Sequence, residues 1–204
     1  MTPKYFGTDG IRGAFGGKVL NEPFLRKSGL ALARFLRKHN PTKPITVVVG
    51  RDTRASGETI EACLCQGLCE SGMHVVLLGV VPTPAVSMIV RELHADLGIA
   101  ITASHNPATD NGFKLFDNRG LKFTVDAELE IESFIDSESA ENLSSHAHTC
   151  GYGYDGEGVY INTMKSMLHQ NCIKGWKVVL DTANGATAKT SPEVLRHFGA
   201  ELVS

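Results

Sequence analysis

Ser104, His105, Asn106 and Lys114 place a hydroxyl, an imidazole, an amide and an ammonium on one short stretch of the chain. The run before them, Leu97 to Thr102, is apolar, rich in β-branched residues and short enough for a single buried strand. Pro107 then stops regular pairing, Asp110-Asn111-Gly112 supplies turn residues, and Phe113 to Asp117 reads as a second strand carrying Lys114. Loops between rigid strands are common sites of binding and catalysis. A serine ahead of Asn-Pro can simply cap a turn. It is a poor hydrolase nucleophile, because it lacks a Gly-x-Ser-x-Gly elbow and its nearest histidine is adjacent in sequence. The sequence also has no Gly-x-x-x-x-Gly-Lys-Ser/Thr loop for a nucleotide. The remaining chemistry is a serine that carries a phosphoryl group, with Lys114, Asn106 and backbone N–H groups holding its oxygens.

Two other stretches could serve the same site. Gly7 to Gly13 sets three glycines around Thr8, Asp9 and Arg12; glycine-rich backbone can approach an anion closely, and an arginine fork suits phosphate. It can equally be a plain N-terminal turn. Gly50-Arg51-Asp52-Thr53-Arg54 follows a β-branched run, Ile45 to Val49, and ligands of open α/β sheets gather beyond the carboxyl ends of strands. Arg51, Asp52 and Arg54 are therefore either site residues or a structural salt bridge.

The elements that must position these groups alternate. Asn21 caps an expected helix with Pro23 in its first turn, ending near Asn40-Pro41. Ser56 caps a second helix that runs to Gly72, and Val75 to Leu78 is a strand. Thr83 caps a third helix, with Pro84 at its first position and Ala85 to Leu93 as its body. Thr124 caps a fourth, acidic helix through Ile135. The expected fold is a three-layer α/β domain with a mixed, mostly parallel sheet, over residues 1–136. Residues 137–158 turn to Ser, Glu, His and Gly and read as a connector, whose His146 and His148 are expected as exposed loop residues. Residues 159–204 then read as the start of a second, similar domain: a helix from Val159 to Asn171, a strand from Trp176 to Leu180, a turn at Asp181 to Ala186, a helix from Ser191 to Phe198 and a strand from Glu201.

Composition narrows the partners. A formal net charge of -2, with Lys and Arg spread along the chain, gives no sign of a nucleic-acid or acidic-membrane partner. No apolar run approaches the ~20 residues of a membrane span, and the polar opening does not look like a signal peptide, so a cytoplasmic protein is expected. The five cysteines, Cys63, Cys65, Cys69, Cys150 and Cys172, fit no common zinc spacing; buried, reduced thiols are expected instead.

Thr102-Ala103-Ser104-His105-Asn106-Pro107, followed by Asp110-Asn111-Gly112-Phe113-Lys114, resembles the phosphoserine loop of the α-D-phosphohexomutases. Tyr5-Phe6-Gly7-Thr8-Asp9-Gly10-Ile11-Arg12-Gly13 is similar to the opening motif of the bacterial glucosamine-phosphate branch of that family. The resemblance implies that phosphorylated Ser104 exchanges its phosphoryl group with a hexose or hexosamine phosphate through a bisphosphate intermediate. Arg12 and Lys114 would stabilise charge or move the hydroxyl proton; His105 would carry a proton or orient the loop; Thr8, Asn106 and Arg51 would bind substrate or phosphate. It also implies Mg²⁺ on a phosphate oxygen of Ser104, with its other ligands in a loop that this chain does not contain. Glucosamine phosphate is the expected sugar, with mannose or glucose phosphate as the alternative. Because further loops of the family are also missing, the chain is expected to be inactive as a mutase when alone, and a non-catalytic interaction fragment is the competing expectation; a homodimer or association through the truncated surface is the expected partnership.

Overall fold

The computed structural model describes residues 2–139 and 151–203. The elements follow in the order β1 (Ile11–Ala14), α1 (Glu22–His39), β2 (Thr46–Arg51), α2 (Gly57–Glu70), β3 (His74–Val80), α3 (Thr83–Glu92), β4 (Leu97–Ile101), β5 (Asp110–Phe116), α4 (Val125–Ser137), β6 (Tyr152–Gly153), α5 (Gly156–Ser166), β7 (Lys177–Val179), α6 (Thr190–His197) and β8 (Glu201–Val203). Six strands form one sheet in the order β1-β5-β4-β2-β3-β6. The pairs β2–β3, β2–β4 and β3–β6 are parallel, whereas β5 runs antiparallel to both β4 and β1. β7 and β8 make a separate parallel pair. The expected three-layer, mixed and mostly parallel α/β fold is the one found.

The layering is written in the period-two alternation of the strands. Val47 and Val49 of β2, Val75 of β3 and Leu97, Ile99 and Ile101 of β4 enter one core, shared with Leu25, Leu32 and Leu36 of α1, Leu64 of α2 and Ile131 of α4. Val48, Val76, Leu78 and Ala100 point the other way, into a core with Val86, Ile89 and Val90 of α3 and, at its rim, Val159 and Tyr160 of α5. Both faces of the parallel strands are covered, which is why their sequences read as unbroken apolar runs. Each fully buried Leu or Ile contributes about 1.5–3 kcal/mol of transfer free energy.

Local signals set the helix ends. The Asn21 side chain accepts from Phe24 N–H at 3.0 Å, and Arg37, Lys38 and His39 fall in the last turn of α1, where they complement its dipole. The expected cap at Thr83 is displaced by one residue: Pro82 is the extended residue before α3, and Thr83 is already helical. Ser56 precedes α2 but makes no cap bond; its hydroxyl instead accepts from Asn111 Nδ2 at 2.9 Å.

α1 and α2 touch through backbone at Gly29 and Gly67. A Cβ built on Gly67 would lie 2.6 Å from Leu30 N and 2.7 Å from Arg26 O. Gly67→Ala gains helix propensity but must push the helices apart, and the net cost is expected to be about 2 kcal/mol. Urea unfolding measures it; a midpoint equal to that of the unaltered chain would show that the helices separate freely.

Several boundaries differ from the expectations. Residues 137–158, read as a connector, include β6 and the start of α5. β6 extends the first sheet, and Gly156 packs on Leu78. α5 starts at Gly156, where Asp155 accepts from Gly158 N–H at 2.8 Å, and ends at Ser166 rather than Asn171. His146, His148 and Cys150 lie outside the described residues. Cys63 and Cys65 are buried free thiols, Cys172 is free but exposed, and Cys69 is disulfide-bonded rather than reduced. No helix among the described residues is long and apolar enough to cross a membrane.

Candidate active site

Three parallel strands end at one edge. β2 delivers Asp52 to Arg54, β3 delivers Val81 to Pro84, and β4 delivers Thr102 to Asn106; all line a cleft of about 800 Å³. The opposite wall is the 182–187 turn after β7, tied across by Thr53 Oγ1 donating to Asn184 O at 2.9 Å. Ligand clefts of open α/β sheets form at such carboxyl ends.

Ser104 stands exposed at this cleft with φ 56°, a left-handed conformation that costs a non-glycine residue roughly 1–2 kcal/mol. Its hydroxyl lies 3.1 Å from His105 Nδ1, and its N–H donates to Thr102 Oγ1 at 3.0 Å. Asn106 Nδ2 donates to Asp110 Oδ2 at 2.9 Å, which closes the loop on itself. Thr102 Oγ1 in turn donates to Asp52 Oδ2 at 2.7 Å. Arg54 reaches under the loop, donating from Nη1 to the carbonyls of Pro107 (2.6 Å) and Asp110 (2.8 Å) and from Nη2 to those of Ser104 (2.8 Å) and Asn106 (2.9 Å). Its Nε pairs with Asp52 at 3.2 Å.

A second polar group forms where β1 crosses β5. Lys114 Nζ pairs with Asp9 Oδ2 at 2.7 Å, and Arg12 Nη2 pairs with the same oxygen. The hydrogen bond from Lys114 holds the Asp9 carboxyl below its ordinary value, with Arg12 and Lys122 adding to the effect against a smaller penalty from burial. A depressed carboxyl contributes its stability in full above the ordinary value and loses it as pH falls through the lowered one. Arg12 Nε is buried without a hydrogen-bond partner. Lys122 donates to Thr8 O at 2.6 Å and approaches Glu128 at 3.4 Å. Thr83 lines both this pocket, of about 220 Å³, and the Ser104 cleft.

The expected site residues thus fall into two neighbouring groups. Ser104, His105 and Asn106 share the cleft. Arg12 and Lys114 meet on Asp9, and Thr8 lines a small pocket beside Asp9 and Arg12. Arg51 belongs to neither group. It is the last residue of β2, and its guanidinium turns to Glu58 at 2.7 Å and Glu61 at 3.8 Å on α2. Arg51 is a structural salt bridge, and Arg54, beyond the strand end, is the arginine at the loop.

These two groups lie on a chain whose residues 3–142 match the family profile of phosphoglucomutase/phosphomannomutase, alpha/beta/alpha domain I. The chain belongs to the phosphoglucomutase/phosphomannomutase family. The phosphoglucosamine mutase of Thermodesulfovibrio yellowstonii is 40% identical over 98% of this chain, and that of Brucella anthropi 42% over 100%. A crystal structure of a putative phosphomannomutase from Thermus thermophilus superposes on 100% of the chain with a TM-score of 0.83 at 30% identity. The chain spans about half the length of these relatives: 45% and 46% of the curated proteins and 46% of the solved chain. Within the phosphoglucomutase/phosphomannomutase fold, Ser104 and the Asp9 group therefore sit on the first, α/β/α domain.

Asp9, Asp52, Thr102 and Arg54 carry weaker sequence signals than Ser104, Lys114 and Arg12, yet they are the residues that hold those groups in place. A signal for Arg54 was present, since an arginine past the end of a buried strand is free to turn into the cleft. One still within the strand pairing must follow the alternation.

Proposed function

We propose that this chain is the phosphoryl-carrying part of a phosphoglucosamine mutase, interconverting glucosamine 6-phosphate and glucosamine 1-phosphate. Residues 1–136 are read as its first domain and the β7–α6–β8 unit as the opening of a second. The observation that carries the reading is Ser104, an exposed hydroxyl held left-handed at a strand-end cleft beside His105. In the forward half-reaction the bond from phosphorus to Ser104 Oγ breaks as one forms to the free hydroxyl oxygen of the sugar phosphate. One proton passes from that hydroxyl to Oγ, and His105 Nδ1 at 3.1 Å is the group placed to deliver it. The bisphosphate turns over and returns its other phosphoryl group by the reverse steps. Phosphoryl transfer is mostly positioning and charge neutralisation, the work assigned to Lys114, Arg12 and backbone N–H groups.

Mg²⁺ fits these residues incompletely. It demands near-octahedral oxygen ligands, and no group of three or more His, Cys, Asp or Glu among the described residues is arranged to hold a metal. Phosphorylated Ser104 would offer it one phosphate ligand. The likeness to a putative phosphomannomutase keeps mannose phosphate as the alternative sugar.

The deciding experiment incubates the chain with glucosamine 1,6-bisphosphate and maps peptides by mass. A gain of about 80 Da confined to the Ser104 peptide is expected. No gain, or a gain on another residue, would remove the reading.

A further inference from the structure

Arg54 has no donor to spare, and that saturation defines what it can do. A guanidinium carries five N–H groups. Here one meets Asp52 Oδ2 and the other four meet the main-chain carbonyls of residues 104, 106, 107 and 110. The side chain is only 12% exposed, so water is a poor substitute for any of these acceptors. Asp52 Oδ2 also accepts from Thr102 Oγ1, which itself accepts from Ser104 N–H. Both polar groups of the Ser104 backbone are therefore tied to one carboxylate oxygen, the N–H through Thr102 and the C=O through Arg54. Ser104 is the residue between these two ties, and it is the one with φ 56°.

We propose that Arg54 is a positioning residue for phosphoryl transfer: it binds the Ser104 loop as a template for its backbone and does not touch the substrate's phosphate. The proposal rests on the reading of Ser104 as the phosphoryl carrier. An arginine in a phosphate cleft would otherwise be taken as a direct anion ligand, which requires N–H groups free to meet the anion. All five are consumed, four by the loop carbonyls and one by Asp52. Left-handed backbone is unfavourable for serine, so the conformation persists only where its surroundings over-determine it. Lysine at 54 would offer three donors from a single point and could not span four carbonyls. Thr102→Val removes the other tie while keeping the shape of the side chain.

Arg54→Lys and Thr102→Val are compared with the unaltered chain by two measurements. The first is amide hydrogen exchange. Protection of Ser104 N–H should fall at least tenfold in both variants, while β2 and β4 amides stay unchanged; a general loss of stability would lower them together. The second is the rate of phosphoryl uptake from glucosamine 1,6-bisphosphate as a function of its concentration. The saturating rate should fall by about a hundredfold, the scale of a small misplacement of reacting groups, while the half-saturating concentration moves less than threefold. A rise in half-saturation with an unchanged saturating rate would make Arg54 a phosphate ligand and overturn the proposal. So would unchanged Ser104 protection. If the unaltered chain takes up no phosphoryl group, the mutase reading fails and the exchange data alone decide the role of Arg54. If Arg54→Lys does not fold, Thr102→Val decides it, because both ties hold the same residue.

Discussion

Ser104→Gly is expected to be slightly more stable than the unaltered chain and unable to carry a phosphoryl group. Glycine adopts φ 56° without steric cost, which releases roughly 1–2 kcal/mol of strain. Against this stands the larger entropy that glycine loses on folding, about 0.5–1 kcal/mol. The hydrogen bonds of the Ser104 backbone do not depend on its side chain, and the hydroxyl's contact with His105 is exposed. The balance is a stabilisation of about 0.5–1 kcal/mol. Ser104→Ala keeps the strain and should unfold within about 0.5 kcal/mol of the unaltered chain. Phosphoryl uptake should fall at least about a thousandfold in both, as for any covalent nucleophile. Thermal unfolding and phosphopeptide mass spectrometry on the same samples test the two halves together. A less stable glycine variant would mean that the hydroxyl holds the loop, and residual uptake at Ser104's peptide would place the nucleophile elsewhere.

That strain also marks the limit of what the sequence alone discloses. The apolar runs at 45–49, 75–78 and 97–102 are strands buried on both faces, and their content alone implied helices on each side. Asn21 and Thr124 announced their helices because a side-chain cap is a local interaction. The left-handed turn at Ser104 is not local. It is held from Asp52 and Arg54, which are far away in sequence and were legible only as a charged run at a strand end. Arg51 and Arg54 offered identical chemistry, and three residues of register decided between a salt bridge on α2 and the template of the loop. β1 was hidden for a similar reason. Ile11–Ala14 has few strand-forming residues, and its pairing with β5 comes from the partner strand. β6 is two residues long and pairs only because β3 offers an open edge.

Glu132→Ala is expected to cost about 2–4 kcal/mol and to loosen the Asp9 group without touching it. The Glu132 carboxylate on α4 is 6% exposed and accepts three consecutive backbone N–H groups, from Lys4 (2.7 Å), Tyr5 (2.5 Å) and Phe6 (2.7 Å). One helical turn on, Asp136 takes Lys4 Nζ at 2.9 Å and the Tyr5 hydroxyl at 2.6 Å. The N-terminal segment has no ladder partner over these residues, so the two carboxylates act as its sheet. Hydrogen bonds to a charged acceptor contribute about 1.5–3 kcal/mol each. Lys4 and Tyr5 are partly exposed and recover some of the loss from water, whereas Phe6 N–H is buried and recovers little. Undocking of the segment alone caps the cost below global unfolding. Thr8 and Asp9 follow directly, so a freed segment releases Asp9 from Lys114, and its depressed carboxyl should return towards the ordinary value. Glu132→Gln should fall between, since one amide oxygen can still accept from Tyr5 and Phe6 while its NH₂ meets the Lys4 N–H. Hydrogen exchange at Phe6, urea unfolding and a carboxyl titration of Asp9 read the three consequences separately. Loss of stability with Asp9 unmoved would mean that β1, through its register with β5, holds the Asp9 loop in place by itself.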